Sequence, residues 1–399
     1  MLDQLADLDR QRREILIRVE NLKAERNAAS EEVAKLKRAG QSAEHLMASL
    51  KQSGEEVKTL DGRLRDVEAD LDRVGLLVPN PPLPEVPEGD ASANRVVRTW
   101  GGPPKLAFPP RPHWELGERL GLFDLPRGAK LSGSGFPLFQ GAGARLVRAL
   151  AAFFLDFHVR EHGYTEVAPP YLVSRTTMTG TGQLPKFADE LYTVGSDDLY
   201  LIPTAEVPLT NLYRDEILEA GALPIGLVGF TPCFRREAGA HGKDTRGLIR
   251  VHQFDKVELV RLTRPDASAA EHEMITGHVE AVLQRLELPY RVVLLATGDT
   301  GFASAKTYDL EVWAAGVGTW LEASSSSTFT DFQARRLNLR YRPAAREKPE
   351  LVHTLNASAL AFPRTIIALL ENNQEADGSV RLPPALAPYF GADRLTPGA

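Results

Sequence analysis

A chain of 399 residues with 43% hydrophobic content can bury a full core and carry a second element of different character. No stretch approaches the roughly 18 uninterrupted apolar residues of a membrane helix, and Met1-Leu2-Asp3-Gln4 lacks a signal peptide's basic-then-apolar run, so a cytoplasmic protein with no membrane partner is expected. The single cysteine, Cys233, excludes an internal disulfide framework and a Cys-based zinc site, so no zinc is expected, and the net charge of −6 confines any nucleic-acid contact to a local patch.

Residues 1–77 carry a heptad pattern. Leu5, Leu8, Ile15, Val19, Leu22, Ala29, Val33 and Leu36 fall on alternating three and four spacings, interrupted by Arg12 and Arg26. A second run of the same spacing extends from Ala43 through Val57, Leu64 and Val67 to Val74. The break between them predicts an antiparallel helical pair, with Gly40 as helix stop and Ser42 as the next N-cap. Such a hairpin buries one seam, so it is either a spacer or dimerisation coiled coil or an arm projecting toward a partner. Arg10, Arg12, Arg13, Arg18, Lys23, Arg26, Lys35, Lys37 and Arg38 would suit phosphate contact, although acids are interleaved with them.

Pro79, Pro81, Pro82, Pro84 and Pro87 mark a semi-rigid linker, so residues 78–112 read as linker and entry and residues 113–399 as the body. In the body, helices are expected near 144–162, 267–286 and 360–374. Strands are expected near 226–237, 249–260, 290–296, 307–313 and 318–325. The fold class is therefore α+β without a regular βαβ repeat. No Walker or dinucleotide glycine loop is present, so a nucleotide would be held by side chains.

The segment from Phe230 to Glu258 holds the densest chemistry. Read as two strands around a polar loop, it puts Arg235 and Glu237 on one strand face, and Arg250, His252 and Phe254 on one face of the partner. Arginine, carboxylate and aromatic ring together suit a nucleotide's phosphate, exocyclic amine and base, while a cross-strand salt bridge beside a core Phe accounts equally for the spacing.

This segment resembles motif 2 of the class II aminoacyl-tRNA synthetases, and Arg246-Gly-Leu-Ile-Arg-Val-His-Gln-Phe-Asp-Lys-Val-Glu258 is close to the form in the seryl-tRNA synthetase family. Gly163 to Leu172 resembles motif 1 and Leu355 to Arg364, with Leu369-Leu-Glu-Asn-Asn-Gln374, resembles motif 3. Thr179 to Phe187, Thr204-Ala-Glu206, Thr297-Gly-Asp299, Lys306 to Trp313 and Asp331 to Arg336 match the same family, so the resemblance covers nearly the whole chain. It implies a class II catalytic domain, an antiparallel sheet flanked by helices, behind an N-terminal coiled-coil arm. It further implies a homodimer, with Pro170 at the interface, that activates L-serine with ATP and loads it onto tRNA(Ser), and through the same arm onto tRNA(Sec).

Residue by residue, the resemblance assigns Arg235 to the α-phosphate, Glu237 to the adenine amine, Phe254 to stacking on the ring and Arg364 to the γ-phosphate. Glu322 and Ser325 would bind ATP through magnesium. Arg236, Ala323 and Ser324 would lie along the ATP site, and Thr204, Ala205, Glu206, Glu258 and Ser358 would form the serine pocket. No protein nucleophile is expected. Ser324 to Ser327, His241 and His252 are not a hydrolase triad, and His252 reads as a packing or hydrogen-bonding residue beside the site. The chain departs from the family at Arg236, where a small serine is usual, at Ala357 and Ala359, where glycines are common, and at Ser326, a frequent cysteine. The family also has a short segment ahead of the arm, so this chain is expected to begin inside the first helix, with weaker tRNA docking and intact adenylate formation. A carrier-protein-loading paralogue and a non-catalytic RNA-binding or scaffolding relative are the competing readings. The long arm argues against the first, and Arg235, Glu237, Glu322 and Arg364 together argue against the second.

Overall fold

The computed structural model describes residues 1–238 and 246–397; the segment 239–245, with His241, lies outside the described residues. The chain divides into two units, Met1–Pro79 and Asn80–Ala399. In the first, helices α1 (Leu2–Arg38) and α2 (Glu44–Gly75) run as a pair whose seam buries Ile15, Val19 and Leu22 against Val57 and Val67. At about 1.5 Å per residue α1 is about 55 Å long. Arg12, which breaks the heptads, donates to Glu68 across the pair at 3.1 Å, and Arg18 donates to Glu56 at 2.9 Å, so these two cations are paired across the helices.

The reversal between the helices is a Schellman turn. Gly40 has φ +71°, its N–H reaches Lys37 O at 3.2 Å, and the Gln41 N–H reaches Leu36 O at 2.9 Å. The next helix begins differently from expectation: Ala43, not Ser42, holds the N-cap position, with no side-chain cap. Ala43 is buried, while Ser42, where the polar cap was expected, is exposed one residue ahead of it.

In the second unit, the proline-containing stretch is fastened to the body from its first residue. Asn80 N–H bonds Phe302 O at 2.9 Å, its side chain bonds Ala303 O and Phe329 O, and Leu83 N–H bonds Ala305 O. The segment read as linker and entry then supplies a strand. The main sheet is built from β1 (Arg95–Trp100), β2 (Thr165–Glu166), β3 (Ile225–Phe234), β4 (Gln253–Thr263), β5 (Tyr290–Leu294), β6 (Lys306–Ala314), β7 (Thr319–Thr330) and β8 (His353–Ala361). Its order is β1-β5-β6-β7-β8-β4-β3-β2, antiparallel except for β2 beside β3. Helices α3 (His113–Arg119), α4 (Gly141–His162), α5 (Ser268–Arg285) and α6 (Phe362–Asn372) frame it.

The central strand β4 is buried from Lys256 to Thr263 because both its faces are covered. Val257 and Leu259 enter the main core with Leu150 and Phe154 of α4 and Ile275 and Val279 of α5, while Val260 and Leu262 enter a second cluster with Leu209, Leu227 and Leu337. Strand parity therefore leaves Phe254, Lys256 and Glu258 on the face opposite Val257 and Leu259.

Candidate active site

Two adjoining cavities lie over this face. One, of about 230 Å³, is lined by Arg235, Glu237, Arg250, Phe254, Lys256, Glu322, Ala323, Ser358 and Arg364. The other, of about 390 Å³, is lined by Gln183, Glu190, Thr204, Glu206, Arg235, Lys256, Glu322, Ser325, Asn356 and Ser358. Arg235, Lys256, Glu322 and Ser358 line both, so the two form one cleft with a cationic waist.

In the first cavity β3 ends at Phe234, and Glu237 has φ +52°, so Arg235 and Glu237 are not presented by strand alternation as the spacing implied. They arrive from an irregular turn. The Arg235 guanidinium stands 5.1 Å from the centre of the Phe254 ring, and its Nε donates to Pro203 O at 3.3 Å. Arg250 likewise precedes β4, and it forms an ion pair with Glu237 across the turn. Opposite, Arg364 in the first turn of α6 donates to Glu322 O at 2.6 Å and to Ile249 O at 3.4 Å, with the Glu322 carboxylate 3.2 Å away.

Glu322 and Ser325 are three residues apart, a spacing that faces opposite sides of a regular strand. Here the register slips at Leu310/Glu311, leaving Ala323 as an extra residue in β7, and the bulge turns both side chains into the cleft. Below them Asp309 pairs with Ser325 across the strands. Burial, then the Glu322 charge, pushes its carboxyl well above the usual range. Among the described residues no cluster of three or more His, Cys, Asp or Glu converges as a metal site. The hard oxygens of Glu322 and Ser325 fit magnesium held jointly with a ligand's phosphates, a coordination that needs only one or two protein groups.

The second cavity is a connected polar network. Glu206 accepts from Gln333 Nε2 at 2.6 Å and from Asn356 Nδ2 at 3.1 Å, and the same amide nitrogen donates to Glu258 at 2.9 Å. Gln333 is fixed in turn by the Thr354 hydroxyl at 2.7 Å. Lys256 pairs with Glu258 and donates to Thr204 Oγ1 at 2.8 Å and Ser358 Oγ at 3.3 Å. Burial, followed by the neighbouring Glu258 charge, pushes the Glu206 carboxyl up to about 7. Two carboxylates behind one lysine make a pocket for a small cation bearing further polar groups.

Not every expected residue reaches the cleft. Ala205 and Ser324 are fully buried and line neither cavity, and Glu258 acts from beneath through Lys256 and Asn356. Arg236 points elsewhere, 5.6 Å over the Tyr192 ring, with its N–H on Glu190 O. Pro170 is exposed beside the exposed apolar Tyr171 and Leu172, away from the cavity linings. His252 Nδ1 lies 2.9 Å from Arg235 O and its ring stacks on Phe136, the packing role expected of it. Lys256, Gln333 and Asn356 were missed. Lys256 shares strand parity with Phe254 and Glu258, a signal that alternation alone carries.

Comparison with known proteins agrees with this architecture. The Seryl-tRNA synthetase N-terminal domain matches residues 1–82 and the tRNA synthetase class II core domain (G, H, P, S and T) matches residues 190–373. The serine--tRNA ligase of Gemmatimonas aurantiaca is 57% identical over 391 residues, covering 98% of this chain and 92% of that protein. The seryl-tRNA synthetase of Pyrococcus horikoshii, solved with ATP, superposes with TM-score 0.95 at 40% identity, over 100% of this chain and 93% of that one. The cytoplasmic serine-tRNA ligase of Naegleria fowleri, solved with AMP, gives 0.89 at 28% identity over the same shares. With identity of this order spread from arm to motif 3, the chain belongs to the seryl-tRNA synthetase family of class II aminoacyl-tRNA synthetases.

Proposed function

We propose that the protein activates L-serine with ATP and transfers the seryl group to tRNA(Ser), and to tRNA(Sec) through the same arm. The observation that carries the reading is the shared waist: the nucleotide-like cavity and the carboxylate pocket meet at Arg235 and Lys256. In the first step a serine carboxylate oxygen attacks the α-phosphorus, and the bond to the bridging oxygen breaks as pyrophosphate leaves. Two anions must approach, so cations at the meeting point offset their repulsion and steady the charge of the pentavalent state. Arg235 stands there and is assigned the α-phosphate. Arg364, at the far wall, is assigned the γ-phosphate; Phe254 stacks on adenine and Glu237 accepts from its amine.

Magnesium bound with ATP supplies further positive charge, and Glu322 and Ser325 would hold it. The serine ammonium sits against Glu206, and the side-chain hydroxyl is read by the polar rim that includes Thr204 and Ser358. Both hydroxyl oxygens already accept from Lys256, and alanine would deprive their O–H groups of the substrate oxygen at about 1–3 kcal/mol each, which sets the preference for a hydroxylated substrate. In the second step a ribose hydroxyl at the tRNA terminus attacks the seryl carbonyl and AMP leaves, with no protein nucleophile. The protein acts as a homodimer in the cytoplasm, the exposed Tyr171 and Leu172 beside Pro170 supplying apolar interface surface.

Purified protein with ATP and magnesium should exchange pyrophosphate into ATP only when serine is present. Absence of serine-dependent exchange, or equal exchange with alanine, would remove the assignment.

A further inference from the structure

Helix α6 carries a second polar group two turns beyond Arg364. Glu371 is fully buried, and each oxygen accepts two hydrogen bonds: Oε1 from the His113 N–H and ring Nδ1, each at 2.8 Å, and Oε2 from Gly316 N–H at 2.7 Å and Val317 N–H at 3.0 Å. All four partners are donors, which fits a carboxylate and fixes the ring as the Nδ1–H tautomer. The free ring nitrogen Nε2 then accepts the Leu248 N–H at 3.0 Å. Gly247 has φ +66°, and a Cβ there would stand 2.2 Å from that same nitrogen, so the backbone passes the ring as closely as any residue permits. The next carbonyl, Ile249 O, receives Arg364 Nε, and the next residue, Arg250, pairs with Glu237.

We infer that Glu371 and His113 are positioning residues for the ATP-side wall, a buried relay by which α6 fixes the Leu248–Arg250 backbone and with it the placement of Arg364 and Glu237. The inference rests on the proposed function, because it assigns that wall to ATP. Arg364 and Glu371 lie seven apart on one helix face, so α6 holds the same short segment at two points: directly at Ile249, and through His113 at Leu248. The relay meets the carboxylate pocket only through the Arg364–Glu322 contact at the shared waist, and bonds to none of Thr204, Glu206, Asn356 or Ser358, so its loss should be felt by ATP far more than by serine.

The test is pyrophosphate exchange by the full-length protein, titrating ATP and serine separately. In His113→Asn the amide keeps a donor near the Nδ1 position but has no acceptor at Nε2; in His113→Gln the side-chain oxygen reaches toward Nε2. The expected result for His113→Asn is a KM for ATP raised about tenfold with the KM for serine within twofold. His113→Gln restores the acceptor facing Leu248 and leaves Glu371 Oε1 only the backbone N–H of residue 113, so it should return the ATP value part of the way, to within about threefold. Gly247→Ala, which disturbs only the receiving end, should raise the KM for ATP like His113→Asn and keeps the question open to measurement if the histidine variant does not fold. An unmoved KM for ATP in Gly247→Ala, or in a folded His113→Asn with a lowered melting temperature alone, overturns the inference and makes the pair merely structural. His113→Gln behaving like His113→Asn does the same. No exchange in the wild type would remove the functional reading and the inference together.

Discussion

Glu206 offers the sharpest test of the proposed serine pocket, because its ionisation is set by the burial of the carboxylate network. Burial and the Glu258 charge raise its carboxyl to about 7, so the free protein should hold it largely protonated at pH 6 and largely ionised at pH 8. A protonated carboxyl cannot neutralise an ammonium. If only the ionised form binds serine, the competent fraction rises from about one-eleventh at pH 6 to about ten-elevenths at pH 8, roughly tenfold in kcat/KM for serine. Glu206→Gln keeps the shape and removes the charge. Loss of one partner of a buried charge pair costs about 2–5 kcal/mol, so its serine KM should rise by about 30-fold or more and its profile should flatten. The assay is exchange at saturating ATP and subsaturating serine across pH 6–8.5. A wild-type profile flat within twofold, or the same slope surviving in Glu206→Gln, would refute the electrostatic account of the pocket. The stability linkage runs the other way. A carboxyl whose folded pKa lies above its unfolded value contributes stability present below about 4.5 and lost as pH rises through about 7, so this group favours binding at the expense of the fold.

Removing Met1–Pro79, the first structural unit, should leave serine-dependent exchange within about twofold and abolish tRNA charging; unimpaired charging by the truncated protein would show that the arm is not the reader. A histidine cluster makes stability sensitive to acid. His158 Nδ1 lies 3.0 Å from His162 Nδ1, His162 stacks on His278 at 3.8 Å, and His278 Nδ1 meets Tyr164 Oη at 3.0 Å. Burial lowers all three, His278 to about 4, so the stability they contribute above about 6.5 is lost as pH falls toward 4. Discounted for the partly exposed ring, the wild type should lose about 1 kcal/mol more than His278→Gln between pH 7 and pH 5, measured by urea unfolding. Equal losses in the two proteins would assign acid sensitivity elsewhere.

What the sequence reveals and what it conceals divide along the range of the interaction. The helical pair, α4, α5 and the strands from β3 to β7 are readable because each is set by local period, and the Gly40 turn because its positive φ is a local demand. The Ser42 cap fails because the N-cap falls one residue later, at the buried Ala43, which carries no capping side chain. Arg235 and Glu237 do reach the same cavity, but strand parity is not the reason: the strand has ended, and Glu237 meets Arg250 through a turn with positive φ. Glu322 and Ser325 share a face only because of a bulge, whose sign is a register slip against β6 and not a pattern within β7. Gln333 and Asn356 stand 127 and 150 residues from the Glu206 they hold, and His113 stands 135 from Leu248. Such partners obey no period. Their only trace is that a carboxylate as deeply buried as Glu206 or Glu371 must find donors somewhere, a requirement that says how many polar residues the chain must bring together and leaves their addresses to the fold.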